Sequence, residues 1–181
     1  MEVARSLALP LDIISVGKVG HPDNPEYAVG VVEENGTALF NRKAGVGIDK
    51  AWLRAATETA RTEAVRRGVL YRGHREPLEI AKKIVIIVDD GIATGLTMQL
   101  ALRIVRMRDP EKIVIAVPVA PPGVMVMLRR KGAREIALLE RPEHFRGAVA
   151  EHYEQFASGS DEDVVALLRS GRPSRVPRER P

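Results

Sequence analysis

The 181-residue sequence contains no cysteine. Disulfides, thiolate zinc sites and a cysteine nucleophile are thereby excluded. It also lacks any apolar run approaching the roughly 18 residues of a membrane span. The opening Met1-Glu2-Val3-Ala4-Arg5 has no apolar core of the kind that marks a signal peptide. A soluble, cytoplasmic protein with no membrane partner is the expectation. Asparagine and glutamine total only five, while arginine outnumbers lysine 21 to 7. Few thermolabile residues fit a thermophile, and a GC-rich genome would produce the same bias. The length is that of one domain, large enough to bury about 70% of the surface its unfolded chain exposes.

The net charge of +4 suggests nucleic-acid binding until it is located. Gly171 to Pro181 holds four arginines and one glutamate, or +3, leaving +1 for the rest. With three prolines and no apolar periodicity, this segment reads as a disordered basic tail on a single domain spanning 1–170. A nucleic-acid partner is therefore not expected.

The second half of the chain alternates strand and helix. Apolar runs at Ile84–Val88, Lys112–Val117 and Glu135–Glu140 read as strands. Helical patterns at Leu96–Met107, from Pro121, and at Asp161–Arg169 separate and follow them, the last capped by Ser160 or Asp161. Such spacing means βαβ units and a parallel sheet. The first half is less regular. Residues 3–9 look like a helix end closed by Pro10, Leu11–Val16 like a short strand, and Gly17–Pro25 like a loop. Tyr27–Val32 and Thr37–Phe40 flank Asn35-Gly36, a hairpin signal. Ile48–Arg67 reads as a helix ending at Gly68, with Ile48, Trp52, Ala56, Ala60 and Ala64 on one side; this makes Trp52 a core residue or a subunit contact. Residues 20–80 look like a smaller appended piece, a hood or flap.

The most telling string is Val85-Ile-Ile-Val-Asp89-Asp90-Gly91-Ile92-Ala93-Thr94-Gly95-Leu96-Thr97. An apolar strand delivers two carboxylates to its end, where ligands bind in open α/β sheets. A bare buried carboxylate is too costly, so these acids need a metal, ligand hydroxyls or backbone N–H partners. The glycines allow close backbone approach, the threonines add hydroxyls, and the following helix points its positive end into the same space. Acids beside an anion cradle suit a sugar phosphate. A P-loop is excluded because the only Gly-Lys pair, Gly17-Lys18, is followed by Val19. A Rossmann fingerprint fails because Gly45-Val46-Gly47-Ile48 lacks its third glycine and follows a polar stretch. An Asp-Gly turn that merely caps the helix would need neither a second acid nor paired threonines.

Val85 to Thr97 resembles the phosphoribosyl-pyrophosphate signature of the type I phosphoribosyltransferases. Glu2-Val3-Ala4, Gly17-Lys18-Val19-Gly20, Asn24-Pro25-Glu26, Ala28-Val29-Gly30 and Tyr71-Arg72-Gly73 resemble one uncharacterised bacterial and archaeal branch of them. The resemblance covers roughly residues 2–170. It implies an α/β fold with a three-layer parallel sheet of about five strands flanked by helices, with a small hood. It implies that Asp89 and Asp90 receive the ribose 2- and 3-hydroxyls and that Gly91 to Thr97 hold the 5-phosphate. Magnesium would bind mainly through ligand oxygens, with Asp89 as its protein contact. The implied reaction transfers a phosphoribosyl group from phosphoribosyl pyrophosphate to a nitrogenous base. The alternative is a non-catalytic protein that binds the pyrophosphate or a nucleotide, and a homodimer is the family's expectation. The family pattern also has a first strand and an Arg-Gly-Gly loop for pyrophosphate ahead of the helix carrying Glu2-Val3-Ala4; these 181 residues begin inside that helix, so both are expected to be missing from them.

Among other residues, Lys18 is either a cation near the pyrophosphate or a solvated lysine. Arg72 and Arg75 could clamp phosphates or a base; otherwise they are surface charges. His21, His74, His144 and His152 show no metal spacing. Pro118 to Pro122 would lie over the same sheet edge and shape a base pocket.

Overall fold

Three parallel strands form the sheet that carries the site. They are β4 (Ile84–Val88), β5 (Lys112–Val119) and β6 (Glu135–Glu140), in the order β4-β5-β6. The pairing is in step, Val85 opposite Ile113 and Ile115 opposite Ile136. The structure is a computed structural model that describes residues 1–73, 75–140, 145–157 and 159–170. The other elements are α1 (Glu2–Ser6), β1 (Val16–His21), β2 (Asn24–Glu33), β3 (Ala38–Phe40), α2 (Lys50–Arg72), α3 (Leu96–Arg106), α4 (Pro122–Arg130), a 3-10 turn (Val149–His152) and α5 (Asp161–Ser170). Among the described residues, no helix is long and apolar enough to cross a membrane.

β5 is central, and its alternate residues Ile113, Ile115, Val117 and Val119 are buried. α3 packs on this sheet through Met98, Ala101, Leu102 and Val105. Its Leu96 and Leu100 instead meet Val31 of β2, with Val16 and Leu39 alongside. β1, β2 and β3 form a separate antiparallel sheet in that order. A register shift at Val29 lets Val29 and Val32 share the opposite face with Val19, packed on Ala60 of α2. The layers run from the parallel sheet through α3 to the antiparallel sheet and then α2. α5 is tied to α2 by Tyr71 Oη donating to Asp161 (2.5 Å) and by Arg66 Nη2 donating to the same carboxylate (2.8 Å). Its N-terminus is capped reciprocally, the amide of Asp163 donating to Ser160 Oγ and that of Ser160 to Asp163 Oδ2.

The α/β class and the flanking helices match the expectation, and so do the three strands and helices of the second half within a residue or two. The strand count does not: the described parallel sheet has three strands, where about five were expected. Leu11–Ser15 pairs with no strand among the described residues. Side chains hold that segment instead, Ser15 Oγ donating to the Ala64 carbonyl (2.7 Å) and Asp12 Oδ2 accepting from Leu78 N (2.9 Å). The expected loop at Gly17–Pro25 is mostly strand, turning at Pro22-Asp23. Gly17 reads as punctuation in the sequence, but it lets β1 press onto α2: an added Cβ would lie 2.0 Å from the Ala60 carbonyl oxygen. α2 begins as expected, with Asp49 Oδ1 accepting from Trp52 N (2.8 Å). It passes through Gly68, which is buried beside Glu34 and Ser15, and ends at Gly73. Burial on α2 falls on Ala60, Ala64 and Gly68. Trp52 is 36% exposed, so it is not a core residue. His74, His144 and the basic tail at 171–181 lie outside the described residues.

Gly17→Ala must displace helix backbone, and is expected to cost about 1–3 kcal/mol in urea unfolding. Gly123→Ala, in α4 with nothing within 4 Å of the new Cβ, should instead be neutral or stabilising by up to about 1 kcal/mol.

Candidate functional site

β4 leaves the sheet at Val88, and the chain presents Asp89 and Asp90 in succession. Asp89 is half-buried and Asp90 exposed. The Asp89 carboxylate accepts from the Asp90 amide at 3.0 Å. Burial at the strand end, with the Asp90 charge beside it, pushes the Asp89 carboxyl up to about 6. Burial raises Asp90 as well, opposed by backbone N–H groups. Two adjacent acids are thus held where neither is paired with a cation among the described residues, an arrangement that favours donors brought by a ligand.

The loop that follows is anchored at both ends. Ile92 N donates to the Val119 carbonyl at the end of β5 (2.9 Å). Gly91 is buried so tightly that a Cβ would come within 2.5 Å of Val149. Gly95 adopts φ +78°, and a Cβ there would meet Val124 at 2.7 Å. Gly95 is also the N-cap of α3, and no side chain caps that helix. The nearest approach is Thr94 Oγ1, 3.5 Å from Leu96 N. The first-turn amides of a helix have no acceptor within it, so α3 offers its positive end to an anion. Thr94 and Thr97 are exposed beside it, Ala93 is half-buried, and Ile92 and Leu96 are packed inward. The carboxylates do not cap α3, so a simple Asp-Gly cap is not what the string forms.

Tyr153 is the residue that sequence reasoning missed. Its hydroxyl donates to the Asp90 carbonyl at 2.5 Å, reaching across 63 positions. Desolvation and the charges of Asp90 and Asp89 hold its phenol above the usual range. The ring packs edge-on against Phe156, with centroids 5.2 Å apart. A lone tyrosine after an irregular stretch carries no local pattern; the scarcity of aromatics, three Tyr among 181 residues, was the only available hint. Beside Tyr153 opens a cavity of about 610 Å³ between the ends of β5 and β6, lined by Pro118, Val119, Leu139, Glu140 and His152–Gln155. Of Pro118 to Pro122, Pro118 lines this cavity, whereas Pro121 and Pro122 start α4 and do not.

Lys18 is exposed in the middle of β1, opposite Val31. Directly opposed residues share a face, and Val31 packs on Leu96. Lys18 therefore stands on the face that meets the first turn of α3. Arg72 and Arg75 are engaged elsewhere. Arg72 donates to Glu34 (2.9 Å) and to the Ile13 carbonyl (3.1 Å), and lies 3.6 Å from Asp12. Arg75 donates to the carbonyls of Arg72 and Tyr71 at 2.8 and 2.7 Å. Both guanidinium groups close the end of α2, and their described contacts are structural. No group of three or more potential metal ligands occurs among the described residues.

Residues 1–155 match the family model of the phosphoribosyl transferase domain. The chain belongs to that family. Two phosphoribosyl transferases of Mycobacterium tuberculosis, from different strains and both named by inference, are 37% identical over 169 residues, covering 92% of this chain. The chain spans only 38% of those relatives' length. The crystal structure of TT1426 from Thermus thermophilus is similar at a TM-score of 0.71 and 37% identity, over 95% of this chain and 81% of that one. Within this phosphoribosyl transferase domain, the matched residues include the acidic strand end, the loop to α3 and Tyr153.

Asp89 gives the domain a predictable pH response. Its folded carboxyl, at about 6, lies above its ordinary 3.8. The native state thus holds the proton more tightly than the unfolded chain, and stability is lost as pH rises from near 4 through about 6. Asp89→Asn removes that loss. Thermal or urea unfolding should show the variant more stable than wild type at pH 7.5, by on the order of 2 kcal/mol, with the difference vanishing near pH 4.

Proposed function

We propose that the domain binds phosphoribosyl pyrophosphate and moves its 5-phosphoribosyl group to a nitrogenous acceptor. The observation that carries this reading is the pairing of Asp89 and Asp90 with an uncapped helix N-terminus six residues on. In this reading Asp89 and Asp90 accept hydrogen bonds from the two ribose hydroxyls. The amides and hydroxyls of Gly91 to Thr97 hold the 5-phosphate. Tyr153 fixes the Asp90 peptide, and Lys18 supplies a positive charge on the pyrophosphate side.

The acceptor nitrogen bonds to C1 of the ribose as the C1–oxygen bond breaks. Pyrophosphate departs with the bonding pair, and the acceptor's proton passes to water. The developing positive charge on the ribose ring lies beside two carboxylates, which favours it electrostatically. Most of the remaining work is positioning. The donor set fits magnesium: the ion is held typically by one or two carboxylates together with substrate phosphates, and Asp89 and Asp90 provide that number of hard oxygen donors. Bound there, magnesium would neutralise phosphate charge.

Titration calorimetry with phosphoribosyl pyrophosphate and magnesium chloride tests the binding claim. Wild type should bind. Asp89→Asn combined with Asp90→Asn should weaken binding by at least about a hundredfold, since each of the two lost charge-assisted hydrogen bonds is worth roughly 1.5–3 kcal/mol. Equal affinity for the two proteins would refute the assignment. Release of pyrophosphate on addition of bases then distinguishes transfer from binding alone.

A further inference from the structure

We infer that the acceptor taken by this site is a base rich in N–H donors or bearing positive charge, and that anionic bases are rejected; this rests on the phosphoribosyl-transfer reading. The cavity of about 610 Å³ adjoins the ribose end of the site through shared residues. Val119, in its wall, receives the amide of Ile92 from the phosphate loop. Tyr153 forms another part of the wall while its hydroxyl holds the Asp90 carbonyl. A molecule in the cavity therefore sits next to whatever Asp89 and Asp90 hold. The volume is within the range of small-molecule sites and large enough for a one- or two-ring base.

The lining specifies the chemistry. Val119, Pro118 and Leu139 provide apolar surface for a flat ring, and Leu139 is 89% exposed. The charged side chains of the described lining are both acidic, and Gln155 adds a neutral amide that can donate or accept. Glu140 and Glu154 bring four carboxylate oxygens, and neither makes an ion pair or hydrogen bond among the described residues. The Tyr153 proton is already committed to Asp90. His152 accepts from Arg146 N through Nε2 (3.2 Å). The described lining contains no lysine or arginine. An exocyclic amine or protonated ring matches this set. A carboxylate-bearing base would face two unneutralised charges of its own sign, with like-charge juxtaposition as the penalty.

Product nucleotides test this, because they fill both subsites, whereas ribose 5-phosphate fills only one. Affinities for ribose 5-phosphate, adenosine, guanosine and cytidine 5′-monophosphates and orotidine 5′-monophosphate are compared by calorimetry with wild type and with a Glu140→Gln, Glu154→Gln double variant. At least one amino-bearing nucleotide should bind wild type at least about tenfold more tightly than orotidine 5′-monophosphate, and the double variant should lose most of that ratio. Equal wild-type affinity for the two kinds of nucleotide, or an unaltered ratio in the variant, overturns the inference while ribose 5-phosphate binding preserves the parent reading. Failure of ribose 5-phosphate to bind wild type overturns both.

Discussion

Helix α3 is gripped on two sides at its beginning, with Thr97 left exposed between them, and the geometry of the acidic strand end depends on that. Leu96 and Leu100 are locked against Val31 of the antiparallel sheet, while Met98, Ala101 and Leu102 are locked against the parallel sheet. All five are 6% exposed or less. A helix end held from both sides cannot pivot, because close-packed side chains do not deform continuously. Its first-turn amides, which no side chain caps, are consequently held in one direction. The Ile92–Val119 hydrogen bond then fastens the connecting loop to the central strand. Gly91 and Gly95 permit the backbone to fit between Val149 and Val124.

Within that frame the two acids are kept in an unfavourable state. Asp89 is raised to about 6 by burial and by its neighbour's charge, with one backbone amide in partial compensation. A protein of marginal stability does not gain from such a pair. Strain of this kind concentrates at ligand sites, where donors brought by the ligand offset it. Tyr153 belongs to the same arrangement: it commits its hydroxyl to the Asp90 backbone, not to a carboxylate.

The second half of the chain is legible because each of its elements reports its own environment. Ile84–Val88 is apolar throughout, Leu96–Arg106 has helical periodicity, and turns separate them, so local pattern and tertiary role agree. The first half misleads where they disagree. Gly17, Gly20, Pro22 and Pro25 look like a loop, yet Gly17 is small because α2 backbone lies against it. Gly68 looks like a helix terminator for the same reason, and it is small because Glu34 and Ser15 occupy the adjacent space. Arg72 and Arg75 look like ligand clamps because their partners are hidden from local pattern: for Arg72 these are the distant Asp12, Ile13 and Glu34. For Gly17, Gly68 and Arg72 alike, a long-range contact explains the residue.

By itself, the sequence determined the strand-acid-loop-helix string. A run of β-branched residues ending in two aspartates and two glycines has few physical uses, and all its parts lie within thirteen consecutive residues. Only the tertiary structure decided what surrounds that string. The support of α3 by Val31, the anchoring of Asp90 by Tyr153 and the carboxylate-lined cavity between β5 and β6 each join residues more than fifty positions apart or on separate strands. Hydrogen bonds and packing act through space, and a chain's local pattern carries no record of which distant residue will be there to meet it.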